Sequence, residues 1–229
     1  VSLALKWLWT QNREWNFSSG ISAALPTAPD TIIQLSDGPT ELIRVQNQSV
    51  SLTPYVAATY TPSDRLFMQA WAAAAVDPFG NNVRYYDFTN DTTQNQRVYD
   101  LPVFSVDAQI GYWLVRNDNP GALLQGLAPF LELHYNAAIN VGNARARFNG
   151  ITVGEVRTGF NDVNMTVGLT TQLRNNLFVT NGLVLPLGDN RSRFFNWQYG
   201  LRVNWLFGPT ARALENAQAM RQAGEISAP

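Results

Sequence analysis

Apolar and polar positions alternate with a period of two along much of this chain, and the clearest stretch runs from Trp197 to Phe207. Trp197, Tyr199, Leu201, Val203, Trp205 and Phe207 fall on one face; Gln198, Gly200, Arg202, Asn204 and Leu206 fall on the other. A strand sends successive side chains to opposite faces, so this segment has one apolar face with aromatics at both ends and one mostly polar face. That pattern fits lipid on one side and a polar lumen on the other. The alternation returns cleanly at 104–114, 127–137 and 163–173, in a shorter copy at 3–9, and less regularly at Val50–Thr61, Arg65–Val76 and Leu177–Leu187. Eight strands result, most of them near or above the ~9–11 residues that a tilted strand needs to cross a bilayer. Trp7, Trp9, Tyr112, Tyr135, Trp197 and Tyr199 are assigned to aromatic girdles at the two interfaces.

The connections alternate too. Those at 61–64, 116–124 and 174–176 are short and rich in turn residues, whereas 11–49, 77–102, 140–159 and, less so, 188–194 are longer and polar. Short turns at one end and long loops at the other suit an outer-membrane barrel. With eight strands, both termini are expected on the short-turn, periplasmic side and the long loops outside the cell. Asn149-Gly150 between Ala144–Phe148 and Ile151–Val156 is the signal of a tight hairpin. Thr31–Leu35 and Glu41–Val45 form a similar pair, too short at about five residues each to span; counted as barrel strands, they would make ten.

Composition separates this reading from a soluble sandwich, which also alternates. Charged residues make up 14% of the chain, against roughly 25% in soluble domains, and the polar faces carry Ser, Thr, Asn, Gln and Gly instead. Small uncharged polar groups suit a confined lumen better than bulk water. A net charge of −1 gives no sign of nucleic-acid binding, and the absence of cysteine excludes disulfides and thiolate metal sites. The longest apolar run, Met68–Val76, is interrupted by Gln69 and falls short of a membrane helix. With neither a Met before Val1 nor a signal segment, the chain reads as processed or trimmed at its N-terminus.

At the level of pattern, residues 2–207 resemble the small bacterial outer-membrane β-barrels, in the manner of the OmpA transmembrane domain, OmpX and OmpW. The last strand of that class carries an assembly signal, and Gln198, Gly200, Val203, Trp205 and Phe207 match it. The resemblance therefore implies contact with outer-membrane lipid and with a barrel-assembly machinery. The class usually stops at the terminal aromatic, whereas this chain runs on for 22 residues. The expected organisation is an all-β, eight-stranded antiparallel barrel over 1–207 and a periplasmic tail over 208–229. That tail is rich in helix formers, with Gly224 as a stop.

An eight-stranded barrel has an interior that side chains fill. Lys6, Asp107, Glu132, His134 and Arg202 are predicted to point inward as a polar network. Lys6 approaches Arg202 across the closing seam and Asp107 approaches Glu132 on the neighbouring strand. Two cations then offset two carboxylates, as buried charges require. This predicts a structural plug, the alternative being a narrow pore for small solutes or ions. His134, Glu132 and Ser105 also raise a nucleophilic site. The His-x-Ser on a lipid-facing strand seen in lipid A deacylases is lacking, so no enzyme activity and no cofactor is expected. Loop 77–102 has oxygen-rich residues without calcium-loop spacing. Its aromatics Phe79, Tyr85, Tyr86 and Phe88 mark a candidate contact surface. A protein partner or a second copy is expected at this loop or at the tail. The function read from the sequence is a structural or interaction protein of the outer membrane.

Overall fold

A computed structural model describes residues 1–36, 40–117, 119, 121–139, 144–154, 159–174, 176–188 and 195–206. Among them the fold is all-β, with strands β1 (Ser2–Gln11), β2 (Trp15–Ala24), β3 (Thr31–Gln34), β4 (Glu41–Gln46), β5 (Ser51–Tyr60), β6 (Leu66–Ala75), β7 (Asn81–Asp87), β8 (Thr92–Val98), β9 (Val103–Tyr112), β10 (Val115–Arg116), β11 (Leu124–Ala138), β12 (Arg145–Phe148), β13 (Ile151–Gly154), β14 (Asn161–Leu173), β15 (Leu177–Pro186) and β16 (Gln198–Trp205). The main sheet is antiparallel in the order β1-β2-β5-β6-β9-β11-β14-β15-β16, with β10 beside β11. The predicted tail at 208–229, Phe207 and most of 188–194 lie outside the described residues.

Nine long strands, not eight, line this path. The added one is β2, which lies within the expected loop 11–49 and pairs along its length with β1 and β5. Its sequence, Trp-Asn-Phe-Ser-Ser-Gly-Ile-Ser-Ala-Ala, hides the alternation: Ser19 interrupts the apolar face, and the other face is small polar residues and Gly20. Gly20 is needed by packing, because a Cβ there would overlap the backbone carbonyl of Leu5 on β1 and the ring of Tyr55 on β5. The extra strand also overturns the expected parity. β1 runs from the end with long connections toward the end with short turns, and so does β16. The chain therefore enters and leaves the sheet at opposite ends, not both on the short-turn side. Among the described residues β1 pairs only with β2 and β16 only with β15.

The two faces of the sheet differ as the alternation predicts. On β9, β11 and β14 the face bearing Asp107, Glu132, His134 and Thr166 is buried or half-buried. The opposite face exposes Phe104, Ile110, Leu131, Leu133, Tyr135 and Val167. Aromatic rings fill much of the buried face: Phe130 lies over Gly168 of β14, where a Cβ would overlap it, and Phe67 and Trp113 pack 5.9 Å apart.

The long connections fold too. β3, β4, β7 and β8 make a separate four-stranded sheet, so the pair at 31–35 and 41–45 does not add barrel strands and 77–102 is a hairpin rather than a loop. β12 and β13 form the hairpin expected at Asn149-Gly150, whose positive φ values of 39° and 86° suit a tight turn that Asn and Gly tolerate. This hairpin packs on the four-stranded sheet around Ile43, Val83, Tyr85, Val98, Ala146 and Phe148, a hydrophobic core of its own. Gln96 seals the junction with its amide, donating from Nε2 to the Arg147 carbonyl at 2.8 Å and accepting the Arg147 N–H at 2.9 Å. This second layer, a cap, sits at the long-connection end of the main sheet.

Phe148 is fully buried and stacks on Tyr85 at 5.3 Å. Phe148→Ala is expected to destabilise the cap by about 3–5 kcal/mol, the usual cost of emptying a core phenylalanine site. Limited proteolysis should then cut within 77–102 and 144–154 while the main sheet stays resistant.

Candidate functional site

On β11, Glu132 and His134 are two residues apart and so share a face. The register sets His134 opposite Asp107 of β9 on one side and Asn164 of β14 on the other. His134 Nδ1 lies 2.8 Å from Asp107 Oδ1, and Nε2 lies 2.9 Å from Thr166 Oγ1. Glu132 Oε2 stands 3.8 Å from the same Nε2. With the imidazole neutral, Nδ1–H donates to Asp107 and Nε2 accepts from the threonine hydroxyl. Arg202 lies on β16, two strands beyond β14 in the sheet.

The sequence-based network is thus assembled in part. Asp107, Glu132 and His134 meet; Arg202 is exposed on β16 and makes no ion pair with them among the described residues. Lys6 does not join: it sits opposite Gly20 on the edge strand, exposed, with no ion pair among the described residues. The expected approach of Lys6 to Arg202 is not formed among the described residues, where β1 and β16 are not paired. Thr166, Asn164 and Asp162 are the buried members that sequence reasoning missed; their alternation on β14 was visible, their depth was not. Ser105 is not part of a histidine relay. Its hydroxyl donates to Asn136 Oδ1 at 2.6 Å.

The predicted girdle residues lie at the strand ends, on the exposed face. Tyr112 marks the short-turn end, where the assembly-signal residue Trp205 also lies; Tyr135 and Tyr199 mark the other, with Trp197 just before β16. From Tyr199 to Trp205 is six residues, about 20 Å along the strand. Trp7 and Trp9 face out near the short-turn end, where Trp9 Nε1 donates to Ser19 Oγ at 2.8 Å. Trp15 and Tyr60, stacked at 4.3 Å, enlarge that ring and were not foreseen because they border a strand read as loop. Of the assembly-signal residues, Gln198, Gly200, Val203 and Trp205 are on β16, with Val203 and Trp205 on the exposed face; Phe207 lies outside the described residues.

The predicted contact surface divides. Phe79 and Phe88 are exposed, and Phe88 meets Tyr86 edge-on at 4.6 Å. Tyr85 is buried against Phe148 and belongs to the cap core, because strand alternation turns it away from Tyr86. Beside Tyr86, a groove of ≈ 200 Å³ is lined by Thr40, Glu41, Leu42, Arg44, Arg84 and Thr93. Arg44 reaches Glu41 and, at 3.4 Å, Asp30; its hydrogen bond and charge hold the Glu41 carboxyl below the ordinary value. Two aspartates tie the cap. Burial pushes the Asp77 carboxyl up, but the backbone N–H groups of Asp100, Gly80 and Phe79 outweigh it and leave it below its ordinary value. Asp87 is lowered by hydrogen bonds from Asn90, Thr89 and Asn149, the last reaching over from the β12–β13 hairpin.

A scan against protein-family models and searches of curated proteins and of solved structures find no match to this chain.

Because the folded pKa values of Asp77 and Asp87 are depressed, their contribution is complete above the ordinary aspartate range and is lost as pH falls through the lowered values. Cleavage of the cap by an acid-active protease should therefore rise steeply below about pH 4, the unperturbed aspartate value. Between pH 6 and 8 the cap's protease resistance should stay flat. Asp77→Ala should leave the cap susceptible at neutral pH as well, since three N–H groups lose their acceptor.

Proposed function

We propose that this protein is a membrane-embedded β-barrel of the bacterial outer membrane, with the cap on the cell surface and the short turns in the periplasm. The observation that carries this reading is the exposed face of the main sheet. Leu3, Leu5, Trp7, Ile21, Val56, Leu133, Leu201 and Val203 are each at least 41% exposed there, across both edges and the middle, between bands of aromatics. Isolated apolar residues are normal on a water-facing surface, but a continuous apolar face of this extent marks contact with a partner or a membrane. No helix among the described residues is long and apolar enough to cross a membrane, which says nothing against crossing with strands.

The buried face favours a filled interior over a conducting one. Phe67, Trp113 and Phe130 occupy it, and its polar groups bond to each other, as in Ser105–Asn136, His134–Asp107 and Thr170–Thr180. The function that fits is structural or interactive, without catalysis. The cap supplies the contact surface through Phe79, Phe88 and the Arg44–Arg84 groove.

Leu133→Arg tests the membrane reading. At mid-strand on a lipid-facing surface it should cost about 2–4 kcal/mol and cut the yield of folded, heat-modifiable protein in detergent. On a water-facing surface it would change stability by no more than about 0.5 kcal/mol. That second outcome, or wild-type protein that is monodisperse in plain buffer, would sink the proposal. In planar bilayers the wild type should show no steady channels; open conductance would refute the filled interior.

A further inference from the structure

We propose that Glu132 and His134 bind a single divalent transition-metal ion of the zinc type, with Asp107 holding the imidazole and Thr166 and Asn164 at its flank. Among the described residues, one donor atom each from Asp107, Glu132 and His134 comes within 4.8 Å of the others. The 3.8 Å between His134 Nε2 and Glu132 Oε2 is long for a hydrogen bond. Zn–N and Zn–O bonds of about 2.0–2.2 Å at a tetrahedral angle put two ligand atoms roughly 3.4 Å apart, so a closing of a few tenths of an ångström brings this pair onto one ion. Asp107 at Nδ1 completes the carboxylate–histidine–metal arrangement, which fixes the tautomer and leaves the Nε2 lone pair for the ion. In the bound state the Thr166 hydroxyl turns from Nε2 toward the metal.

A further observation points to a cation. Asn164, the cross-strand partner of His134, is 93% buried by its 7% exposure, and its Oδ1 has no hydrogen-bond partner among the described residues. Its Nδ2 is committed to Asp162, so rotation of the amide would strand a donor instead. The site rests on side-chain geometry and is independent of the membrane reading.

The test is unusually clean, because His134 is the chain's one histidine and the chain has no cysteine. Tag-free full-length protein in detergent is titrated with ZnCl₂ by calorimetry, and its single imidazole is followed by NMR. Expected are one Zn²⁺ per chain and a shift of the His134 ring resonances. Glu132→Gln and His134→Ala should abolish stoichiometric binding. Asp107→Asn should weaken it by about 10–100-fold, as loss of an orienting carboxylate does. Lys6→Ala should leave it unchanged. Ca²⁺ should not move the ring, since imidazole suits zinc rather than calcium. Ring resonances unmoved by excess Zn²⁺ overturn the proposal, as does one-to-one binding that survives in folded His134→Ala. The wild-type NMR result decides the matter if a variant fails to fold.

Discussion

The backbone ladder between β11 and β14 is the interaction on which the rest of the molecule depends. It runs in register from Gly126↔Gln172 to Ala137↔Asn161, and the same residues of β11 pair with β9 from Phe130↔Gly111 to Ala138↔Val103. Because side chains alternate with a period of two, this one register decides every contact on both faces. A slip of β11 by one residue would carry Glu132 and His134 to the exposed face and turn Leu131 and Leu133 inward. The cost on both faces at once is what makes the register specific. The His134 contacts to Asp107 and Thr166 are therefore consequences of strand pairing, with no loop needed to place them.

The cap obeys the same rule with a different balance. Its strands are four to seven residues long, too short to be stable as isolated hairpins, and it gains a core only by packing the β12–β13 hairpin on the four-stranded sheet. Val83 and Phe148 are its largest fully buried side chains and come from different connections of the main sheet. The main sheet holds the ends of those connections together, and the cap core then ties them to one another. Gln96 extends the joint by pairing with the backbone of Arg147 much as a further strand would. This makes the cap a rigid platform for Phe79, Phe88 and the arginine groove.

Much of this was legible in the sequence, and what was missed has a definite cause. The faces of β9, β11 and β14 were readable because large aliphatic residues alternate there with small polar ones. β2 was not, since a strand whose inner face is Asn16, Ser18, Gly20 and Ser22 has the composition of a loop; only the Leu5 carbonyl and the Tyr55 ring against Gly20 show why no side chain fits there. The meeting of Asp107, Glu132 and His134 followed from strand adjacency and face. The contribution of Thr166 and Asn164 did not, because threonine and asparagine on a polar face give no sign of their depth. Tyr85 misled for the opposite reason: an aromatic in a polar connection looks exposed until the connection has a core to bury it.

The count of nine carries a consequence for closure. β1 and β16 run in the same sense, and each is paired on one side among the described residues. Their outer faces, from Leu3 to Trp9 and from Tyr199 to Trp205, are among the most exposed apolar surfaces of the molecule. In water such edges invite association with other strands. In a bilayer they are worse, because each unpaired backbone group facing hydrocarbon costs several kcal/mol. On the proposed reading the seam must therefore be satisfied. Direct pairing of β1 with β16 would be parallel, a departure from every other pairing in this molecule. Antiparallel closure requires one more strand, running from the short-turn end toward the cap. Such a strand would leave the His134 cluster untouched, because β11 already has a neighbour on each side.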